Sequence, residues 1–138
     1  MRIGNLIKIP FANTSGGLWR ISSNATSLDY SERGLTRYIP GSLTKSPLLS
    51  SIQLQNNLLS RSDIDNIIED LIESLNDPNR VPCVVNLTGE QNSGPSLYVY
   101  NKIYILINQG WIVNINTTYI YHFITPTHIV KQYDEGVI

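Results

Sequence analysis

Residues Leu49 to Leu59 read L-S-S-I-Q-L-Q-N-N-L-L, and this stretch decides the fold. Leu49, Ile52, Leu54, Asn57 and Leu59 occupy every fixed position of the frame L-x-x-L-x-L-x-x-N-x-L. The alternation predicts a short strand with Ile52 and Leu54 on one face. Asn57 follows where the chain turns away, and its side chain can hydrogen-bond backbone groups that the turn leaves unpaired. Leu49, Ile52, Leu54, Asn57 and Leu59 are therefore the expected framework.

What comes next supports a crossover. In Ser60 to Leu75, Ile64, Ile67, Ile68, Leu71, Ile72 and Leu75 recur at helical spacing and define one apolar face. Ser62 is a suitable N-cap, and Asp63 and Asp65 lie where the helix dipole favours acids. Asn76-Asp77-Pro78-Asn79 ends the helix. Val81 to Leu87 is short and β-branched, a buried strand. Strand, helix, strand makes a parallel unit.

Weaker echoes of the frame flank this unit. Tyr30, Leu54, Leu87 and Ile115 align as equivalent inward positions, at intervals of 24, 33 and 28 residues. In the first echo Arg33 stands where Asn57 does, and in the third Glu90 does. Between the third and fourth, Tyr100, Ile103, Tyr104 and Ile107 form a helical stripe ending at Gly110, a good C′ residue. The β-branched and aromatic residues of that run also suit a strand. The need for a crossover between parallel strands favours helix.

These features together resemble the divergent leucine-rich-repeat-like modules of bacteriophage virion proteins and of surface proteins of gut Bacteroidetes. The residues that carry the resemblance are Leu54 with Asn57, the helix core Asp63-Ile64-Asp65-Asn66-Ile67-Ile68, the Ser93-Gly94-Pro95-Ser96 stretch, and Gly110-Trp111 with Val113. It covers about residues 25 to 116. It implies an α/β fold: a short leucine-rich-repeat-like parallel sheet with crossover helices, with an N-terminal arm and a C-terminal β-hairpin. The departures at Arg33 and Glu90 imply a compact fragment of three or four strands in place of a regular horseshoe.

The chain then divides into an arm over residues 1–24, a core over 25–116 and C-terminal strands over 117–138. The arm carries apolar Ile3, Leu6, Ile7 and Ile9, a pliable Phe11-Ala12-Asn13-Thr14-Ser15-Gly16-Gly17, and then Leu18-Trp19-Arg20-Ile21. Either it covers the open end of the core or it docks on a neighbour. In the C-terminal part, Tyr119, Tyr121 and Phe123 alternate before Thr125-Pro126-Thr127 and Ile129-Val130. Two strands and a proline turn fit, with the aromatic face buried or offered to a partner.

Composition restricts the partners. Of 138 residues, 15% are charged and the net charge is −1, so the surface attracts nucleic acid and anionic membranes poorly. No apolar run approaches a membrane span, and the N-terminus shows no signal-peptide core. Cys83, alone in an apolar strand, reads as a buried structural thiol. His122 and His128 lack a metal-ligand spacing. Asp63, Asp65, Glu69, Asp70 and Glu73 read as the solvated face of the helix, since the glycine of a calcium loop is missing. Phosphate-binding and nucleophile-elbow motifs are absent.

The expected function is therefore non-enzymatic and needs no cofactor or metal. The resemblance implies a structural or adaptor protein of a tailed-phage virion, made in the host cytoplasm and held by contacts with other subunits, with homo-oligomers possible. The alternative is a repeat-type recognition module for a host protein or glycan. Ile7, Phe11 and Trp19, with Tyr119, Tyr121 and Phe123, are the expected interface residues; Trp111 is expected in the core.

Overall fold

The computed structural model describes residues 21–117. Four strands, β1 (Ser27–Asp29), β2 (Ser51–Gln53), β3 (Val84–Asn86) and β4 (Ile112–Asn114), form one parallel sheet in the order β1-β2-β3-β4. Register pairs Leu28 with Ile52, Ile52 with Val85, and Val85 with Val113. The ladder runs one residue further: Tyr30 N–H donates to Gln53 O at 2.9 Å, Leu54 N–H to Asn86 O at 2.9 Å, and Leu87 N–H to Asn114 O at 2.8 Å. Tyr30, Leu54, Leu87 and Ile115 thus share one row across the sheet, as the aligned spacing predicts.

Helix α1 (Arg61–Ser74) joins β2 to β3, and α2 (Tyr100–Asn108), preceded by a 3-10 turn at Leu97–Val99, joins β3 to β4. The ambiguous run before Gly110 is therefore helical. Its end is a Schellman motif: Gly110 N–H donates to Ile107 O and Trp111 N–H to Leu106 O, with Gly110 at φ +91°. Both helices lie on one face of the sheet and share a single apolar core with it. Ile64, Ile67, Ile68 and Leu71 of α1 are wholly buried, each contributing about 1.5–3 kcal/mol.

The crossover from β1 to β2 holds no helix. Pro40 and Gly41, at φ +95°, break it into turns, and Leu35, Tyr38 and Leu43 fill the space that a helix takes in the later crossovers.

Two details of α1 differ from the sequence reading. Its N-cap is Ser60, not Ser62: the Ser60 hydroxyl accepts from Asp63 N–H, and the Asp63 carboxylate accepts from Ser60 N–H at 2.9 Å. Both serines have an aspartate three residues on, so the local pattern leaves a tie. Tertiary contact breaks it, because Asp65 is already engaged by the N–H and hydroxyl of Ser96, at 2.8 and 2.5 Å.

Nor do the acids of α1 form a solvated face. Asp63, Asp65 and Asp70 are only 9%, 7% and 8% exposed. Each accepts hydrogen bonds from a neighbouring crossover, which is the condition for burying a carboxylate. Tyr38 N–H donates to Asp63 at 3.0 Å, and Gly41 N–H to Asp70 at 2.7 Å. The Tyr38 hydroxyl also donates to Asp70 and accepts from Leu43 N–H at 3.0 Å. Only Glu69, ion-paired with Lys102 at 3.0 Å, and Glu73 stay on the outside.

Burial raises the Asp70 carboxyl above the usual range, against the lowering effect of the Tyr38 and Gly41 bonds. The folded chain then holds a proton that the unfolded chain has lost, so this group lowers stability as pH rises from about 4 through its folded pKa. Denaturation of the wild type and Asp70→Asn across pH 3–7 is expected to show a difference that moves toward the variant over that window. A pH-independent difference would contradict the assignment. Tyr38→Phe, which strips a donor from a buried carboxylate, is expected to cost about 1.5–3 kcal/mol in urea denaturation.

Candidate functional site

Strands of three residues hold few ladder bonds, so the turns that follow them need other support. Asn57 supplies it. Its Oδ1 accepts from the N–H groups of Arg33 and Leu35 at 2.9 and 3.0 Å, and its Nδ2 donates to Tyr30 O and Leu54 O at 3.0 and 2.9 Å. Every polar valence of the carboxamide is used, at 1% exposure. Leu49, Ile52, Leu54 and Leu59, the rest of the framework, are at most 2% exposed. Arg33 contributes only its backbone at this turn, and its side chain is exposed over the Tyr30 ring.

In the next turn the equivalent residue is Asn92, two positions beyond the Glu90 that counting selects. Asn92 Oδ1 accepts from Leu59 N–H at 3.0 Å, and Nδ2 donates to Leu54 O, Leu87 O and Thr88 O at 3.0–3.2 Å. Glu90 and Gln91 loop out to solvent. The physical reason is donor capacity: an ionised carboxylate only accepts, and three carbonyls here need a donor. That requirement, rather than the count, was the signal available in the sequence. The chain turns through left-handed backbone at Glu32, Asn56 and Gly89, with φ of 57°, 61° and 117°. At Gly89 a Cβ would stand 2.6 Å from the Asn56 amide nitrogen, so only glycine fits.

Arg80, which the sequence reading passed over, clasps the start of β3. Its guanidinium lies 4.6 Å from the Trp111 ring and donates to Ser46 O, Leu49 O and Val81 O at 2.8–3.0 Å. Trp111 is buried, as expected. Cys83 is buried too, and burial pushes its thiol up to about 11, so it carries no thiolate at neutral pH.

The sheet face away from the helices is where chemistry is offered outward. Alternation leaves Ser27, Asp29, Gln53, Asn86 and Asn114 along it, with Val84 and Ile112 at 37% and 54% exposure toward the β4 side. Asp29, Gln53, Asn86 and Asn114 stand in register on adjacent strands, which in a sheet means about 4.8 Å apart. Bonds from the Ser31 N–H and hydroxyl hold the Asp29 carboxyl below the usual range.

Among the described residues no three of His, Cys, Asp and Glu gather as a metal site, and no helix is long and apolar enough to cross a membrane. Ile7, Phe11, Trp19, Tyr119, Tyr121, Phe123, His122 and His128 lie outside the described residues. No protein-family model matches the chain, and no curated protein or solved structure matches it.

Asn57→Ala and Asn92→Ala each leave several buried backbone groups without partners, at about 1–3 kcal/mol for a single such group. Each is expected to lose at least about 2 kcal/mol in urea denaturation. Glu90→Ala is expected to change stability by less than about 0.5 kcal/mol. Equal effects of Glu90→Ala and Asn92→Ala would refute the assignment of the turn.

Proposed function

We propose that this chain is a leucine-rich-repeat-like docking module, acting by protein–protein contact as a structural or adaptor component of a tailed-phage virion. One observation carries the docking role: a parallel sheet covered by helices on one face and uncovered, among the described residues, on the other. The turns after β1, β2 and β3 are tied by the buried carboxamides of Asn57 and Asn92, and preorganised surfaces bind with less ordering cost. The chemistry of the face is hydrogen-bonding, with a carboxylate at Asp29 and an apolar border at Val84 and Ile112. The choice of a virion rests on the resemblance of Leu54–Asn57, the helix Asp63–Ile68 and Gly110–Val113 to modules of virion proteins. In this reading Ile7, Phe11 and Trp19 of the arm anchor the chain to a neighbouring subunit.

A second reading, recognition of a host protein or glycan, is favoured by the row Gln53, Asn86 and Asn114. Asn86 Oδ1 is engaged by Thr88 and Gln53 Nε2 by Ser51, and the row offers the Asn86 amide donor, the Gln53 carbonyl and the Asn114 carboxamide to hydroxyl or peptide groups.

The test is sedimentation of the chain with assembled particles. Asn114→Lys, at an exposed position, is expected to keep the wild-type melting temperature within about 2 °C, as exposed substitutions do, and to remove the chain from the particle fraction. Retention in the particle with loss of binding to host cells would favour the second reading. Removal of residues 1–20 is expected to leave a folded domain that no longer sediments with particles. The cut falls before Ile21, which is buried and whose carbonyl accepts from the Ser46 hydroxyl at 3.0 Å.

A further inference from the structure

The crossover from β1 to β2 is held differently from the other two, which are helices of 14 and 9 residues bonded continuously along their backbones. Its two ends are fixed. Leu35 N–H donates to Asn57 Oδ1 at 3.0 Å, and Leu35 O accepts from Leu58 N–H at 2.8 Å. At the other end the Ser46 hydroxyl donates to Ile21 O at 3.0 Å, and Ser46 O accepts from the Arg80 guanidinium at 2.9 Å. Between these anchors, residues 36–45 make no backbone–backbone hydrogen bond to another segment among the described residues.

The middle of the crossover closes on itself. Ser42 N–H and hydroxyl both donate to Ile39 O, at 3.2 and 2.6 Å. Thr44 N–H and hydroxyl both donate to Gly41 O, at 3.4 and 3.0 Å. Leu43 N–H donates to the Tyr38 hydroxyl at 3.0 Å. The bonds toward α1 end on two carboxylates, Tyr38 N–H on Asp63, and the Tyr38 hydroxyl and Gly41 N–H on Asp70. Past Leu43 the segment stands off the helix. A cleft of about 530 Å³ lies there, with Thr44, Lys45 and Pro47 from the crossover and Glu73, Ser74 and Asn76 from the end of α1 and the turn after it.

We propose that residues 36–45 form a strap over α1 that opens as one unit while the sheet and both helices stay folded. The bonds inside the strap survive the opening, and the anchors at Leu35 and Ser46 confine the movement to the segment between them. Release costs the carboxylate bonds and the burial of Tyr38 and Leu43, at 3% and 0% exposure, but breaks no bond of the sheet or of a helix. Asp63, Ile67 and Asp70 follow at i, i+4 and i+7 on α1, so they share one side of the helix. Opening bares that side, on which an apolar residue stands between two carboxylates. The competing outcome is a crossover that comes away only when the whole domain unfolds.

Amide hydrogen exchange of the full-length chain, followed by NMR where rates report opening equilibria, tests this. Relative to free amides, those of Tyr38, Gly41 and Leu43 are expected to exchange at least about 10-fold faster than those of Ile52 and Val85. Their dependence on urea is expected to be shared and shallower, since a local opening exposes less surface. Asn92→Ala, which weakens the turn after β3, is expected to speed exchange at Ile52 and Val85 by about 30-fold or more and to leave the strap amides unchanged. Tyr38→Phe is expected to speed exchange at Gly41 and Leu43 at least about 10-fold. Strap amides as slow as Ile52 and Val85, accelerated equally by Asn92→Ala, or unaffected by Tyr38→Phe would each overturn the proposal. Should Asn92→Ala not fold, the rates and urea dependence of the unsubstituted chain decide it, and equal slopes at strap and sheet would contradict the strap.

Discussion

The carboxamide of Asn57 joins two successive turns through four hydrogen bonds made inside the core, and the rest of the sheet depends on it. Three-residue strands define a register but fix the ends of the chain poorly. An amide side chain solves this because it is donor and acceptor at once, and so it satisfies carbonyls of both turns and N–H groups of the first. Asn92 repeats the device one turn further on. Leu54 O receives bonds from both asparagines, which links the two turns through a single peptide group.

Helix α1 provides the second constraint. Its apolar side closes the core, while Asp63, Asp65 and Asp70 reach sideways into the crossovers before and after it. A carboxylate buried without partners would be too costly to keep, so these bonds also decide the paths of the partner segments. The first crossover shows the result. It lacks a helix, yet Tyr38 is held at both its amide and its hydroxyl, and Leu43 is seated by its bond to that hydroxyl.

Much of this was legible in the residues. The spacing Leu49, Ile52, Leu54, Asn57, Leu59 marked a strand and turn, the row Tyr30, Leu54, Leu87, Ile115 marked the register, and Gly110 marked a helix end. Each of these is local, or periodic with a fixed face. What stayed hidden was set by contacts between distant segments. Counting puts Glu90 at the asparagine position because it assumes turns of equal length, and the third turn has two extra residues looped out. A charged stripe opposite an apolar one is ordinarily hydrated, which is why Asp63, Asp65 and Asp70 read as solvent-facing; the donors that bury them from other segments are Tyr38, Gly41 and Ser96, at least 25 residues away in the chain. Arg80 carried no pattern at all, since its partners are backbone carbonyls and an indole ring.

The contrast between the two faces of the sheet follows from the same constraints. Among the described residues, helices and turns are tied to one side, and the other carries the row of Gln53, Asn86 and Asn114. The most direct test is hydrogen exchange of the side-chain carboxamide protons of Asn57 and Asn92, followed by NMR. Exchange as slow as that of the core amides of Ile52 and Val85 is the predicted result, because those protons are released only when the turns come apart. Exchange at the rate of an exposed asparagine, with the core amides still protected, would mean that the fold stands without these two side chains.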